Sequence, residues 1–372
     1  MIKTCDVGSL PLRGEASRIE EGAERYNTLL ELLAMTSEAL DFFEEQIIQG
    51  LADKIRSGIN VANYPQYRDM NKMFLDVING VKHGESGYLL TETPSLKNSR
   101  GIPEVDAIRR NLSEILCLTG CERVGLKLCV TGPYTLSSLF KDRNPGLFRD
   151  LSACITEIVS YSIFKDRRGE VELLSVDEPV FGFIDDPLLD FGSGGRESLL
   201  KGWNEICYKA SAHGVDSILH LHNTGNSLFW DVEHLDIIES HVNDPLYDKQ
   251  ETKQLLEDND KFLKASISIT QFDDLIEGWL RKKGYSGSIP ERTGKIWTSI
   301  TRGEIDPMRM LEERDVIYER LEGIVMDFGS ERVPYAGPEC GLSSFPSYES
   351  ALETLRRTSE AVARLNKHHS AD

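Results

Sequence analysis

Eight short apolar runs, each closing on a polar or glycine-bearing turn and separated from the next by helical patterning, constrain this chain more than any other feature. They cover residues 2–7, 59–63, 124–131, 171–177, 216–222, 235–239, 295–301 and 332–341. Strands joined through helices pair in parallel, because a parallel neighbour is reached only by a crossover. Eight of them predict an α/β fold, a (β/α)8 TIM barrel formed as a single domain over residues 1–365. With 372 residues and 40% hydrophobic content, the chain can bury a core of that size.

Apolar residues at helical spacing fill the intervals: Leu29, Leu32, Leu33, Phe42, Phe43, Ile47 and Ile48 within residues 15–58, then residues 105–118, 151–159, 199–213, 307–326 and 347–365. Residues 88–93 suit an inserted hairpin. Residues 243–294 are charged and irregular, with one β-like run at 262–269 and a Gly/Ser/Pro-rich patch at 284–290. They read as an insertion before the seventh strand, suited to act as a lid. The tail, residues 366–372, is expected to be disordered.

Composition narrows the function classes. Lys and Arg number 42 against 61 Asp and Glu, and the net charge of −19 repels phosphate backbones, so no nucleic-acid partner is expected. Seven cysteines, an odd number without a dense framework, suit a reducing compartment. No apolar run is long enough to span a membrane and the first residues lack a signal-peptide pattern, so a cytoplasmic location is expected.

The fifth run carries the chemistry. Ser217, Leu219 and Leu221 share one strand face and Ile218, His220 and His222 the other. Two imidazoles thus project from one side, the second at the carboxyl end, where barrel enzymes hold ligands. The other run ends present Ser9, Asp177, Glu239 and Cys340. His222, Glu239 and Cys340 offer an imidazole nitrogen, a carboxylate and a thiolate, a set that leaves a zinc ion one position for substrate. Zinc stabilises the thiolate of an incoming thiol, which points to thiol alkylation. Plainer readings stand beside this one: His220 and His222 as satisfied core histidines, Glu239 as a solvated acid, Cys340 as a buried apolar side chain and Asp177 as a helix N-cap.

Six motifs follow one another: Val7-Gly8-Ser9-Leu10-Pro11, Val130-Thr131-Gly132-Pro133-Tyr134-Thr135, Asp177-Glu178-Pro179, His220-Leu221-His222, Ile238-Glu239 and Gly337-Pro338-Glu339-Cys340-Gly341-Leu342. In that order they resemble the carboxyl-terminal catalytic barrel of the cobalamin-independent methionine synthase family, in its short single-barrel form, over nearly the whole chain. The resemblance implies a methyltransferase with zinc on His222, Glu239 and Cys340. It implies homocysteine bound near Gly8 and Ser9, its amino group on the catalytic Asp177, and methyl transfer to the zinc-bound thiolate to give methionine. Folate-using members carry a tryptophan after the Thr-Gly-Pro turn and a glutamate after Asp-Glu-Pro. Leu139 and Phe183 stand there, which implies a methyl-corrinoid donor, carried on a corrinoid protein partner, in place of methyl-folate.

Three positions depart from the family. Thr224 replaces its second zinc-binding cysteine, with His220 a candidate substitute. Tyr64 stands near the position of a glutamate that contacts the homocysteine amine, which makes Tyr64 a candidate substrate-binding residue. No histidine lies between His241 and His368 to donate a proton. The departures leave two alternatives: another small thiol as acceptor, or a non-catalytic barrel that has lost full metal binding.

Overall fold

The computed structural model describes residues 1–29, 38–248 and 250–369; Leu32, Leu33 and the last three residues lie outside them. Among the described residues ten strands occur in chain order: β1 (Lys3–Thr4), β2 (Val61–Asn63), β3 (Ile78–Gly84), β4 (Gly87–Leu96), β5 (Val124–Thr131), β6 (Gly169–Glu178), β7 (Asp216–Leu221), β8 (Ile237–Glu239), β9 (Phe262–Ser268) and β10 (Tyr335–Pro338). Eight form one sheet in the order β1-β10-β9-β8-β7-β6-β5-β2, with every neighbouring pair parallel. A parallel bridge between Cys5 and Val61 joins the two ends. The sheet is thereby closed into the expected (β/α)8 barrel. β3 and β4 form a separate antiparallel hairpin, longer than residues 88–93.

The helices form where sequence signals place them. Asn144 caps Pro145–Ser162 by accepting from the Leu147 amide at 3.1 Å, with Pro145 in the first turn. Ser193 caps Gly194–Ser211 in the same way through Arg196. Phe148, Leu151 and Ile155 of the first and Leu199, Trp203 and Ile206 of the second are fully or almost fully buried. Each such side chain contributes roughly 1.5–3 kcal/mol of burial free energy.

The seventh barrel strand corrects the sequence reading. It is β9, inside the segment taken for an insertion, whereas residues 295–301 lie in the helix Ile289–Thr301. Leu263, Ala265 and Ile267 of β9 pack outward against helices, while Lys264 and Ser266 turn into the barrel and are fully buried. The β-like run at 262–269 is thus a barrel strand, and its polar inward face, Lys264 and Ser266, is what set it apart from the apolar runs. The extra chain therefore falls after the seventh strand, where helices Phe272–Lys282, Ile289–Thr301 and Arg314–Phe328 intervene before β10. Residues 366–369 of the segment expected to be a disordered tail belong instead to the last helix, Tyr348–His369. Asn366 Oδ1 accepts from the Ile2 amide at 2.9 Å and its Nδ2 donates to the Ile2 carbonyl at 2.8 Å.

Inside the barrel, polarity rises from the amino end to the carboxyl end. Cys5, Val61, Leu173, Ile218, Ile237 and Tyr335 make an apolar plug. Gly337 belongs to this crowded interior: a Cβ on it would lie 1.8 Å from the Cys5 carbonyl oxygen. Beyond the plug the inward positions carry charge, with Lys127, Lys264 and Glu239 fully buried. Among the described residues, no helix is long and apolar enough to cross a membrane.

Candidate metal centre

Strand register builds the site. β6, β7 and β8 lie side by side with Asp177 opposite His220 and His220 opposite Glu239. These three make one layer, and the residues two positions on, His222 and His241, stand in the next layer at the barrel mouth. β10 reaches that level through a register shift between Gly337 and Pro338. An irregularity of this kind re-aims the following side chains, and Cys340 meets the histidines.

Cys340 Sγ lies 3.6 Å from His222 Nε2. The His222 and His241 ring centroids are 4.0 Å apart, and those of His220 and His222 5.3 Å. One donor atom from each of His220, His222, His241 and Cys340 falls within 4.8 Å of all the others. Small side-chain movements would bring them onto one ion at the roughly 2.0–2.3 Å of zinc–nitrogen and zinc–sulfur bonds. Both ring nitrogens of His220 and Nε2 of His241 are buried with no hydrogen-bond partner among the described residues. Such orphaned polar atoms are costly unless something binds them, and imidazole and thiolate are accepted zinc donors. The residues present fit the ion.

The electrostatics agree. Burial, then the neighbouring His220 and His241, hold His222 down at about 3. Burial and then His220 hold His241 down at about 4. Both rings are neutral near pH 7, the form that ligates a metal. Burial pushes the Cys340 thiol up to about 12, so its proton leaves only when a cation takes its place. Burial also works to raise the Asp177 carboxyl, but His220, Lys127 and the Cys129 thiol outweigh it and hold it at about 2. Asp177 Oδ1 stands 3.5 Å from His220 Nδ1, where it can orient the ring and leave Nε2 to a metal.

The other expected residues separate. Glu239 is not brought into the donor group: its carboxylate faces Lys264 Nζ at 2.5 Å and Lys127 Nζ at 3.6 Å. Thr224 turns its hydroxyl to Asp244. Ser9 and Asp177 border a cleft of about 340 Å³ that also exposes His220, His222 and Cys340. Tyr64 does not border it; the ring is fully buried and its hydroxyl donates to the Cys129 carbonyl at 2.8 Å. Gly8 serves the backbone, with φ +138° and room for no Cβ, which would sit 2.4 Å from Gln66 Oε1. His241, Lys127 and Lys264 were missed by sequence reasoning. Counting two residues on from each end of the in-register pair His220 and Glu239 would have found His241.

Fold and site define the class: an α/β barrel with a His/Cys group able to hold a metal at its carboxyl mouth. No family model matches the sequence, and no curated protein does. The fold is similar to that of a B12-independent methionine synthase from Shewanella sp. W3-18-1 in complex with selenomethionine, with TM-score 0.65 and 12% identity over 100% of both chains. It is also similar to a candidate vitamin-B12-independent methionine synthase from Listeria monocytogenes, with TM-score 0.59 and 13% identity over 98% of this chain and 99% of that one. At these identities the likeness is one of fold.

Proposed function

We propose that the chain is a zinc-dependent methyltransferase that methylates the sulfur of a small thiol, with homocysteine as acceptor and methionine as product. The observation that carries the reading is the convergence of His220, His222, His241 and Cys340, three of which (His220, His222 and Cys340) line a cleft. Zinc, when bound there, would supply a Lewis acid that keeps the acceptor thiol ionised at neutral pH. His220, His222, His241 and Cys340 would hold it, and the acceptor sulfur would enter as a fifth ligand or in place of one of the imidazoles; Asp177 stands 3.5 Å from His220 Nδ1 and borders the cleft, where it can also accept from a substrate amino group. Ser9 borders the same cleft and offers a hydroxyl to the polar end of the acceptor.

The donor proposed is a methyl-corrinoid carried by a corrinoid protein, supported by Leu139 and Phe183 at positions where folate-using relatives of the resembled family carry tryptophan and glutamate. Methyl transfer joins carbon to sulfur as the cobalt–carbon bond breaks, the electron pair stays on cobalt and the thiol proton goes to solvent. Incubation of the zinc-loaded chain with homocysteine and free methylcobalamin should yield methionine, and methyl-folate should not replace the cobalamin. Absence of product with every donor would overturn the methyltransferase reading.

One observation favours a second acceptor class. Tyr64 is sealed away, and the Asp177 carboxylate already accepts from Ser175 at 2.8 Å and Cys129 at 2.7 Å while facing His220. A thiol without an amino group would need neither. Equal turnover of homocysteine and of its des-amino analogue would establish that class.

A further inference from the structure

We propose that Asp244 and Glu339 are positioning residues that set the spacing of the His220, His222, His241 and Cys340 donor atoms, and that Thr224 is the anchor Asp244 uses. The proposal rests on the metal reading above. His220 lies in β7, where strand register places it, whereas His222, His241 and Cys340 lie in the turns after β7, β8 and β10, and those turns must be tied to one another. Two carboxylates make the ties. Asp244, 7% exposed, accepts from the Thr224 hydroxyl and the Leu246 amide (2.8 Å) on Oδ1, and from the Thr224 amide (3.2 Å) on Oδ2. It ties the turn behind His222 to the loop that carries His241.

Glu339, 4% exposed, continues the chain of ties. Its Oε2 accepts from the Val242 amide at 2.8 Å and its Oε1 from the Thr270 amide at 2.9 Å, while its own amide donates to the Ser268 carbonyl at 3.0 Å. One side chain next to Cys340 thus reaches the residue after His241 and the turn after β9. Between the two anchored positions, Asn243 takes a left-handed φ of 65°, a conformation that disfavours most side chains but that asparagine tolerates. The loop bends there to present Val242 to one carboxylate and to place the other. Amides donating to a carboxylate fix its direction, and although neither carboxylate touches a donor atom, each holds the backbone that carries one, the kind of outer support whose loss commonly costs about tenfold in affinity.

The test uses the full chain and zinc or cobalt(II) alone. Zinc dissociation constants from chelator competition, cobalt(II) absorption spectra and Tm of the metal-free form are measured for wild type, Asp244→Asn, Glu339→Gln, Thr224→Val and Thr224→Ser. Asp244→Asn and Glu339→Gln should weaken zinc by roughly 10–100-fold and alter the cobalt spectrum. Thr224→Val should weaken it too, and Thr224→Ser should restore it. Should a carboxylate variant fail to fold, the Thr224 pair, which removes one bond and gives it back, carries the test. Variants that lose Tm but keep wild-type affinity and spectrum would overturn the positioning role while leaving the metal centre standing. Wild type that takes up neither ion would overturn the centre itself, and this role with it.

Discussion

At the scale of single residues, the spacing between Glu239 and His241 decides which of them joins the histidine–cysteine group. Glu239 pairs with Lys264 Nζ at 2.5 Å and has Lys127 Nζ at 3.6 Å, reaching up from the level of the apolar plug; His241 stands one layer higher than Glu239, with His222. His241→Ala should therefore lower zinc affinity by more than about 100-fold, beyond the range of outer partners, whereas Glu239→Gln should retain zinc. The same Glu239→Gln change leaves two buried ammonium groups without their counter-charge and should cost about 3–5 kcal/mol in denaturant unfolding. A variant that unfolds at the wild-type midpoint and has lost its zinc would reverse both assignments. The folded-state values of His222 and His241 lie at about 3 and about 4, below the ordinary 6.5. The neutral rings thus contribute stability that is complete above about pH 6.5 and lost as pH falls toward the folded values. Denaturation midpoints of the metal-free protein should drop between about pH 7 and pH 4.5. The drop should be shallower in a His222→Gln/His241→Asn double variant, and parallel curves would contradict this. In the sequence, His222 and Cys340 were legible as members of one group because both stand at strand ends; His241 was not, because its neighbour in space is set by register between strands.

At the scale of elements, motifs that look independent in sequence are mechanically joined. Glu178 Oε1 accepts from the Tyr134 amide at 2.9 Å and Trp203 Nε1 at 2.8 Å, and its Oε2 from the Thr135 amide at 2.6 Å. The Asp-Glu-Pro and Thr-Gly-Pro-Tyr-Thr segments are held together by that one carboxylate. Lys54, in the helix Glu38–Arg56, reaches into the barrel to Asp6 at 2.7 Å, the Gly8 carbonyl at 2.6 Å and the Asn63 carbonyl at 2.9 Å. It clamps the chain leaving β1 and β2 beside the cleft. Lys54→Met strands the Asp6 carboxylate in the core and should cost about 3–5 kcal/mol, read from the denaturant midpoint; a loss under about 1 kcal/mol would show the pair to be solvent-screened. Strands with apolar inward faces at their amino ends, such as β7 and β8, were legible by alternation. β9 was legible as a β-like run but not as a barrel strand, because Lys264 and Ser266 face inward, and the helix Ile289–Thr301 mimicked a strand with its β-branched residues.

At the scale of the whole molecule, the alternation of strand and helix was enough to predict the barrel, since parallel pairing leaves few closed alternatives. It could not predict which interior layer holds a metal, because that depends on how eight strands shift against one another. The interior grades from an apolar plug, through a charged belt that consumes Glu239, to a mouth where three imidazoles and a sulfur meet. X-ray absorption at the zinc edge of the loaded full chain measures that meeting point directly. A shell of three nitrogens near 2.0–2.1 Å and one sulfur near 2.3 Å is the predicted result. A shell containing a carboxylate oxygen and fewer histidines, or no bound zinc, would contradict it.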